Sequence, residues 1–201
     1  MRRFPSLLFL GASLFSVSLL FAIACRGPQP ESAPPGSGQP EYAPTATIKD
    51  LMLSIVDPSA DVVWEAVTTV VTASGAEEKV PRTDEDWTNA RRGAIRLAEA
   101  TNLLMMPGRH VARPGEKSET PGIELEPEEM EALINKDRAA WNARAKALHD
   151  ASLAALQAID AKDAQKLFEL GEQIENACES CHSQYWYPNQ VLPPGYDSVT
   201  R

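Results

Sequence analysis

Five residues near the end of this 201-residue chain constrain its fold most: Cys178, Glu179, Ser180, Cys181 and His182. On a helix, positions i and i+3 share a face, so both thiols present to one side. Two cysteines at this spacing, followed at once by histidine, spell the C-x-x-C-H signature through which haem c is attached. The thiols add across two vinyl groups of the porphyrin, and the imidazole becomes the proximal iron ligand. The bland readings are a thioredoxin-like redox pair, a zinc half-site or a disulfide. The first wants a βαβ context that is not visible, and a structural zinc site wants four ligands where no second Cys pair exists.

The N-terminus speaks independently to compartment. Arg2 and Arg3 precede an uncharged, mostly apolar run from Phe4 to Ala24. Residues 1–24 therefore read as an export signal rather than as part of the fold. Haem c is attached outside the bacterial cytoplasm, so the two features agree. Cys25 follows directly, where a bacterial lipoprotein carries its lipid-modified cysteine. Ala22 stands where Leu is usual, and Ala-x-Ala also suits ordinary signal cleavage. An uncleaved anchor is a third alternative, since this apolar run is about long enough to span a bilayer. The expectation is a lipoprotein on the periplasmic side of a bacterial membrane, with Cys25 lipidated.

Residues 25–45 follow as a Pro-rich tether, with too few aliphatic side chains to bury a core. Loss of Arg2 and Arg3 with the signal takes the formal charge from −9 to −11. That balance speaks against nucleic-acid binding, which needs a basic footprint. It suits basic redox partner proteins, drawn in by electrostatic steering; the alternative is that acidity only keeps an exported protein soluble.

Residues 46–190 are long enough for one domain, and residues 191–201 read as a flexible tail. Periodicity marks four helical segments. In the first, Ile48, Leu51, Met52 and Ile55 form one apolar face. Asp57-Pro58 interrupts it, because proline lacks an N–H and disfavours helix in the residue before it. A kinked or broken helix ending near Val67 is expected. Thr68–Thr72 is β-branched, and Ser74-Gly75 would turn it back as a small hairpin. The second helix starts at Thr83, which with Asp86 approximates a capping box. Trp87, Ala90, Ala94, Leu97, Thr101 and Leu104 then repeat at bundle spacing.

A Pro/Gly loop from Pro107 to Glu126 is long for a connection, hence either functional or mobile. The third helix begins at Pro127 and is expected to run to Asp160. Its buried stripe is Leu133, Ile134, Trp141, Leu148, Ala155, Leu156 and Ile159. After a three-residue return, the fourth helix presents Leu167, Phe168, Gly171, Ile174, Cys178, Cys181 and Tyr185 inward. Gly171 would let a porphyrin approach the backbone closely.

A haem motif in the last of four helices resembles the class II c-type cytochromes, the cytochrome c-prime group. Class I cytochromes place the motif near the N-terminus. The resemblance covers residues 46–187 and rests on Cys178, Cys181 and His182, with Tyr185, Trp141 and the Ile48–Ile55 face in support. It implies an all-α protein, an antiparallel four-helix bundle around one covalent haem c, here with a small β-hairpin between helices 1 and 2. Trp141 and Tyr185 would pack against the haem, and a homodimer is the usual assembly of such bundles.

The family covers the far side of the haem with helix one. Lys49-Asp50-Leu51-Met52-Leu53 is similar to its low-spin subtype, in which a methionine ligates the iron. Met52 is then the candidate sixth ligand, opposite His182. The alternative is that Met52 is only apolar wall, with a five-coordinate, gas-binding iron. Three departures stand out: Tyr185-Trp186-Tyr187-Pro188 where Arg is common, the Pro58 break, and the insert at 107–126.

His110 is a further candidate for the sixth position, and Arg91, Arg92 and Arg96 for the propionates; an exposed loop and a solvated face are the competing readings. No acid–base or nucleophile set is visible, so the expected role is a one-electron carrier and not an enzyme. A gas binder and a haem-free redox or interaction lipoprotein are the alternatives.

Overall fold

The structure is a computed structural model, and it describes residues 42–191. The export signal, Cys25, nearly all of the tether and all but the first residue of the tail lie outside the described residues. The protein is mostly helical with one small antiparallel sheet, as an all-α reading requires. Among the described residues no helix is long and apolar enough to cross a membrane.

The first helical arm opens at Thr47, whose hydroxyl accepts from Asp50 N–H while the Asp50 carboxylate accepts from Thr47 N–H. Helix α1 covers Ile48–Leu51 and α2 covers Asp57–Trp64. Between them the chain does not break at Pro58. It widens into a π-helical segment, Met52–Val56, in which Asp57 N–H reaches back five residues to Met52 O. A proline in a regular helix clashes with the carbonyl one turn back, and a widened turn directly before Pro58 relieves that contact. The wider turn also shifts the buried face by one residue. Val56, five after Leu51, is buried, whereas the expected Ile55 is only half-buried.

Strands β1 (Thr68–Thr72) and β2 (Gly75–Lys79) form the expected hairpin, with Thr72 opposite Gly75. Helix α3, Asp84–Met105, starts with the expected capping box between Thr83 and Asp86. Ala90, Ala94, Leu97, Thr101 and Leu104 are all buried along it. Two arginines serve the carbonyls at its end. Arg109 donates to Leu103 O and Ala46 O, and Arg138 donates to Met105 O and Met106 O. Positive charge at a helix C-terminus is favoured by the helix dipole.

The expected third helix is two helices. Helix α4, Pro127–Lys136, ends at Asp137, which leaves the helical region at φ −139°, ψ 76°. Asp137 then caps α5, Arg138–Asp160, by accepting from Ala140 N–H at 2.9 Å. This is a preferred N-cap arrangement for aspartate. Helix α6, Ala164–Tyr185, follows after a tight return.

Helix α3 packs on α5, α5 on α6, and α2 on α3. The inner stripe of α6 is rotated from expectation. Leu167, Leu170, Ile174, Ala177 and Tyr185 are buried, while Phe168 is 52% exposed. Leu133 on α4 is likewise 37% exposed.

Helices α2 and α3 meet at Gly93. A Cβ there would lie 2.7 Å from Val62 Cγ1 and 3.2 Å from the Ser59 carbonyl. Alanine favours helix over glycine by about 1 kcal/mol, but overpacking against backbone costs about 1–3 kcal/mol. Gly93→Ala should therefore lower stability by up to roughly 2 kcal/mol, the excess of the second effect over the first. Urea unfolding measures it, and a midpoint equal to or above the parent's would contradict this packing.

Candidate functional site

The π segment packs on α3 rather than on α6. The space between it and α6 is a cavity of about 400 Å³ with a mainly apolar lining, within the size range of small-molecule and cofactor sites. Met52 and Val56 line it from the π segment, and Cys178, Cys181, His182 and Tyr185 line it from α6. Trp141 completes the wall from α5, with its indole N–H donating to Leu104 O at 2.9 Å. Met52, Trp141, Cys178, Cys181, His182 and Tyr185 are thus brought to one cavity.

Burial sets the state of the motif groups. It pushes the Cys178 thiol up to about 12, helped by Glu175, and the Cys181 thiol up to about 11. Both are free thiols and neutral near pH 7. Burial also holds His182 below its ordinary value, against the opposing pull of Glu179 and Asp57. A neutral imidazole is the form that binds metals.

The His182 ring is held by aromatic edges. Trp186 meets it at 5.0 Å and 89°, and Tyr187 at 5.8 Å and 63°. Tyr187 Oη donates to Glu179 Oε1 at 2.7 Å, and that oxygen lies 3.9 Å from His182 Nδ1. Helical spacing marks Glu179, which stands three residues before His182 on its side of the helix; Tyr187 lies beyond the end of α6, where no spacing rule places it.

The long 107–126 loop is an ordered wall of the cavity. Pro-Gly turns bend it, with left-handed backbone at Gly115 and Gly122 (φ +87° and +91°), where glycine carries no steric cost. The Glu124 carboxylate accepts from Ser118 Oγ and from the Glu119 and Thr120 N–H groups. Leu125 N–H donates to Trp186 O and ties the loop to the end of α6. Lys117, Ser118 and Glu124 line the cavity from it.

Other expected residues fall elsewhere. Gly171 lies against Trp64, whose indole N–H donates to Gly171 O at 3.2 Å. Both belong to the wall of a second, shallower groove that also holds Phe168, Glu169 and Glu172. Gly171 is therefore a contact point for a tryptophan and is not in the lining of the cavity. His110 has an exposed side chain facing Glu131, and its main-chain carbonyl accepts from Ile48 N–H. Arg91 pairs with Asp160 at 2.7 Å, and neither Arg92 nor Arg96 lines the cavity. Cys25 lies outside the described residues. Among the described residues no group of three or more His, Cys, Asp or Glu side chains gathers as a metal site.

Two thiols at one helical face, an imidazole beside them and a thioether from the facing wall line one mainly apolar cavity, a donor set whose chemistry is compatible with haem c. Comparison with protein families, with curated proteins and with solved structures found no match for this chain.

The two half-buried thiols also set a pH dependence for the chain before any attachment. Below the ordinary thiol value of 9.0, folded and unfolded forms both hold these protons. Above it the unfolded chain ionises first, so stability falls as pH rises from about 9 towards 11 and 12. Haem-free protein should show this alkaline loss in urea titrations at stepped pH, and Cys178→Ser with Cys181→Ser should remove it. Equal slopes in the two proteins would mean that the thiols are not buried as described.

Proposed function

We propose that this chain is an exported c-type cytochrome of the class II kind. In this reading it is a one-electron carrier, built as an antiparallel four-helix bundle around one haem c. The observation that carries the reading is convergence: Cys178, Cys181, His182 and Met52 line one apolar cavity, although Met52 is 126 positions before Cys178. Bundle geometry is supported by the packing of α3 on α5 and of α5 on α6, with the α1–α2 arm against α3.

Haem bound there would supply an iron that alternates between ferric and ferrous states. The chain's own residues would do the rest. Cys178 and Cys181 would hold the porphyrin covalently, and His182 would ligate the iron through a neutral imidazole. Met52 would be the second protein ligand to the iron, and a thioether in that role would raise the reduction potential. Trp186, Tyr187 and Glu179 fix the orientation of the His182 ring, which is how outer partners tune a ligated histidine. The apolar walls and the 107–126 loop exclude water. Nothing in this reading transforms a substrate. Cys25 would anchor the protein to the periplasmic face of a membrane, and the tether would let an acidic domain visit basic redox partners.

Protein made in a host competent for haem attachment should gain a mass of about 616 Da, the prosthetic group bound through this signature. Its optical spectrum should be low-spin with a thioether-to-iron band. Met52→Ala should convert that spectrum to high-spin and lower the reduction potential; an unchanged spectrum would eliminate Met52 as ligand. A high-spin parent that shifts with carbon monoxide would replace electron transfer by gas binding. Absence of the adduct would end the haem reading.

A further inference from the structure

Two polar groups in the cavity wall have donors to spare. Tyr185 is only 4% exposed, and its hydroxyl has no hydrogen-bond partner. Its ring is held edge-on against Trp141, with centroids 5.2 Å apart. A buried hydroxyl left unpaired costs about 1–3 kcal/mol, and buried polar groups in native folds nearly always have a partner.

Arg144 lines the same cavity from α5, three residues after Trp141. Its Nε donates to Gln184, the neighbour of Tyr185. Among the described residues no carboxylate lies within ion-pair distance of its guanidinium. The cavity's two lysines differ in this respect. Lys49 pairs with Glu119 at 3.0 Å, and Lys117 lies 3.8 Å from Glu126 and 3.9 Å from Glu128. One part of the wall therefore offers a cation with no carboxylate partner among the described residues and a phenolic donor with no acceptor, the guanidinium's one protein acceptor being Gln184.

We infer that Tyr185 and Arg144 together form a recognition site for a carboxylate of the cavity's occupant. Resting on the cytochrome reading above, that carboxylate is a haem propionate. A guanidinium and a phenol are both donors to an anionic oxygen, and charge-assisted bonds of this kind are about twice as strong as neutral ones. The pair also selects against a guest with no anionic group, which would leave both donors unmet in the wall.

Resonance Raman spectra of the ferric holoprotein test the site through the propionate bending band, whose frequency follows hydrogen bonding to the carboxylate. Tyr185→Phe keeps the ring and its contact with Trp141, and Arg144→Gln removes the charge. Both variants should move the band to lower frequency with the covalent adduct intact. Arg144→Gln should also lower the reduction potential, since an unneutralised carboxylate favours ferric iron. An unchanged band in both variants, with the adduct present by mass, would overturn the Tyr185–Arg144 site and leave the cytochrome reading standing. A parent chain without adduct would overturn both.

Discussion

Pro58 has no N–H to give and a ring that intrudes on the preceding turn. The first arm answers with a π-helical turn instead of an end, so Met52–Val56 stays helical while the chain continues into α2. Much of the site depends on that accommodation. It rotates the apolar face by one residue, puts Val56 in the core, and leaves Met52 at the wall of the space beside α6. π turns of this length are uncommon and recur at functional sites. Here the turn is tied to a single sequence event, proline at position 58.

The second control is electrostatic. Burial raises both motif thiols and lowers the His182 imidazole, so all three favour their neutral forms. The 107–126 loop brings Lys117, Glu119 and Glu124 to the cavity, with the Glu124 carboxylate occupied by backbone N–H groups, Lys117 facing Glu126, and Glu119 pairing Lys49 of the first arm. That satisfaction gives a loop of this length a defined course, and it leaves Arg144 as the cavity-lining cation without a carboxylate partner among the described residues.

Much of the helical organisation was legible because it rests on local rules. The Thr83–Asp86 cap, the bundle spacing along α3, the Thr68–Lys79 hairpin and the return before α6 all follow from residues within a few positions of one another. Errors arose where two local signals competed. Asp137 sits within a continuous run of good helix formers, and composition alone favoured one long helix. Its side chain instead caps a new helix, and α4 takes a separate course with Ile134 buried. On α6, Phe168 looked like core because it is large and apolar. The buried stripe runs through Leu170 and Ala177 instead. Gly171 looked like a porphyrin contact, yet Trp64, 107 residues earlier, occupies the space over it.

What the sequence determined by itself is the set of groups that can react: two thiols and an imidazole in fixed order on one helical face, since i and i+3 adjacency needs nothing beyond a helix. It also determined where most helices begin, because caps are local hydrogen bonds. Only the tertiary structure decided which distant residues meet that face. The π turn set the register of Met52, the Trp64–Gly171 contact excluded Gly171 from the cavity, and the pairing of every nearby cation but one left Arg144 beside Tyr185. The reason is that burial and charge pairing are properties of groups far apart in the chain, and no window of neighbouring residues contains them.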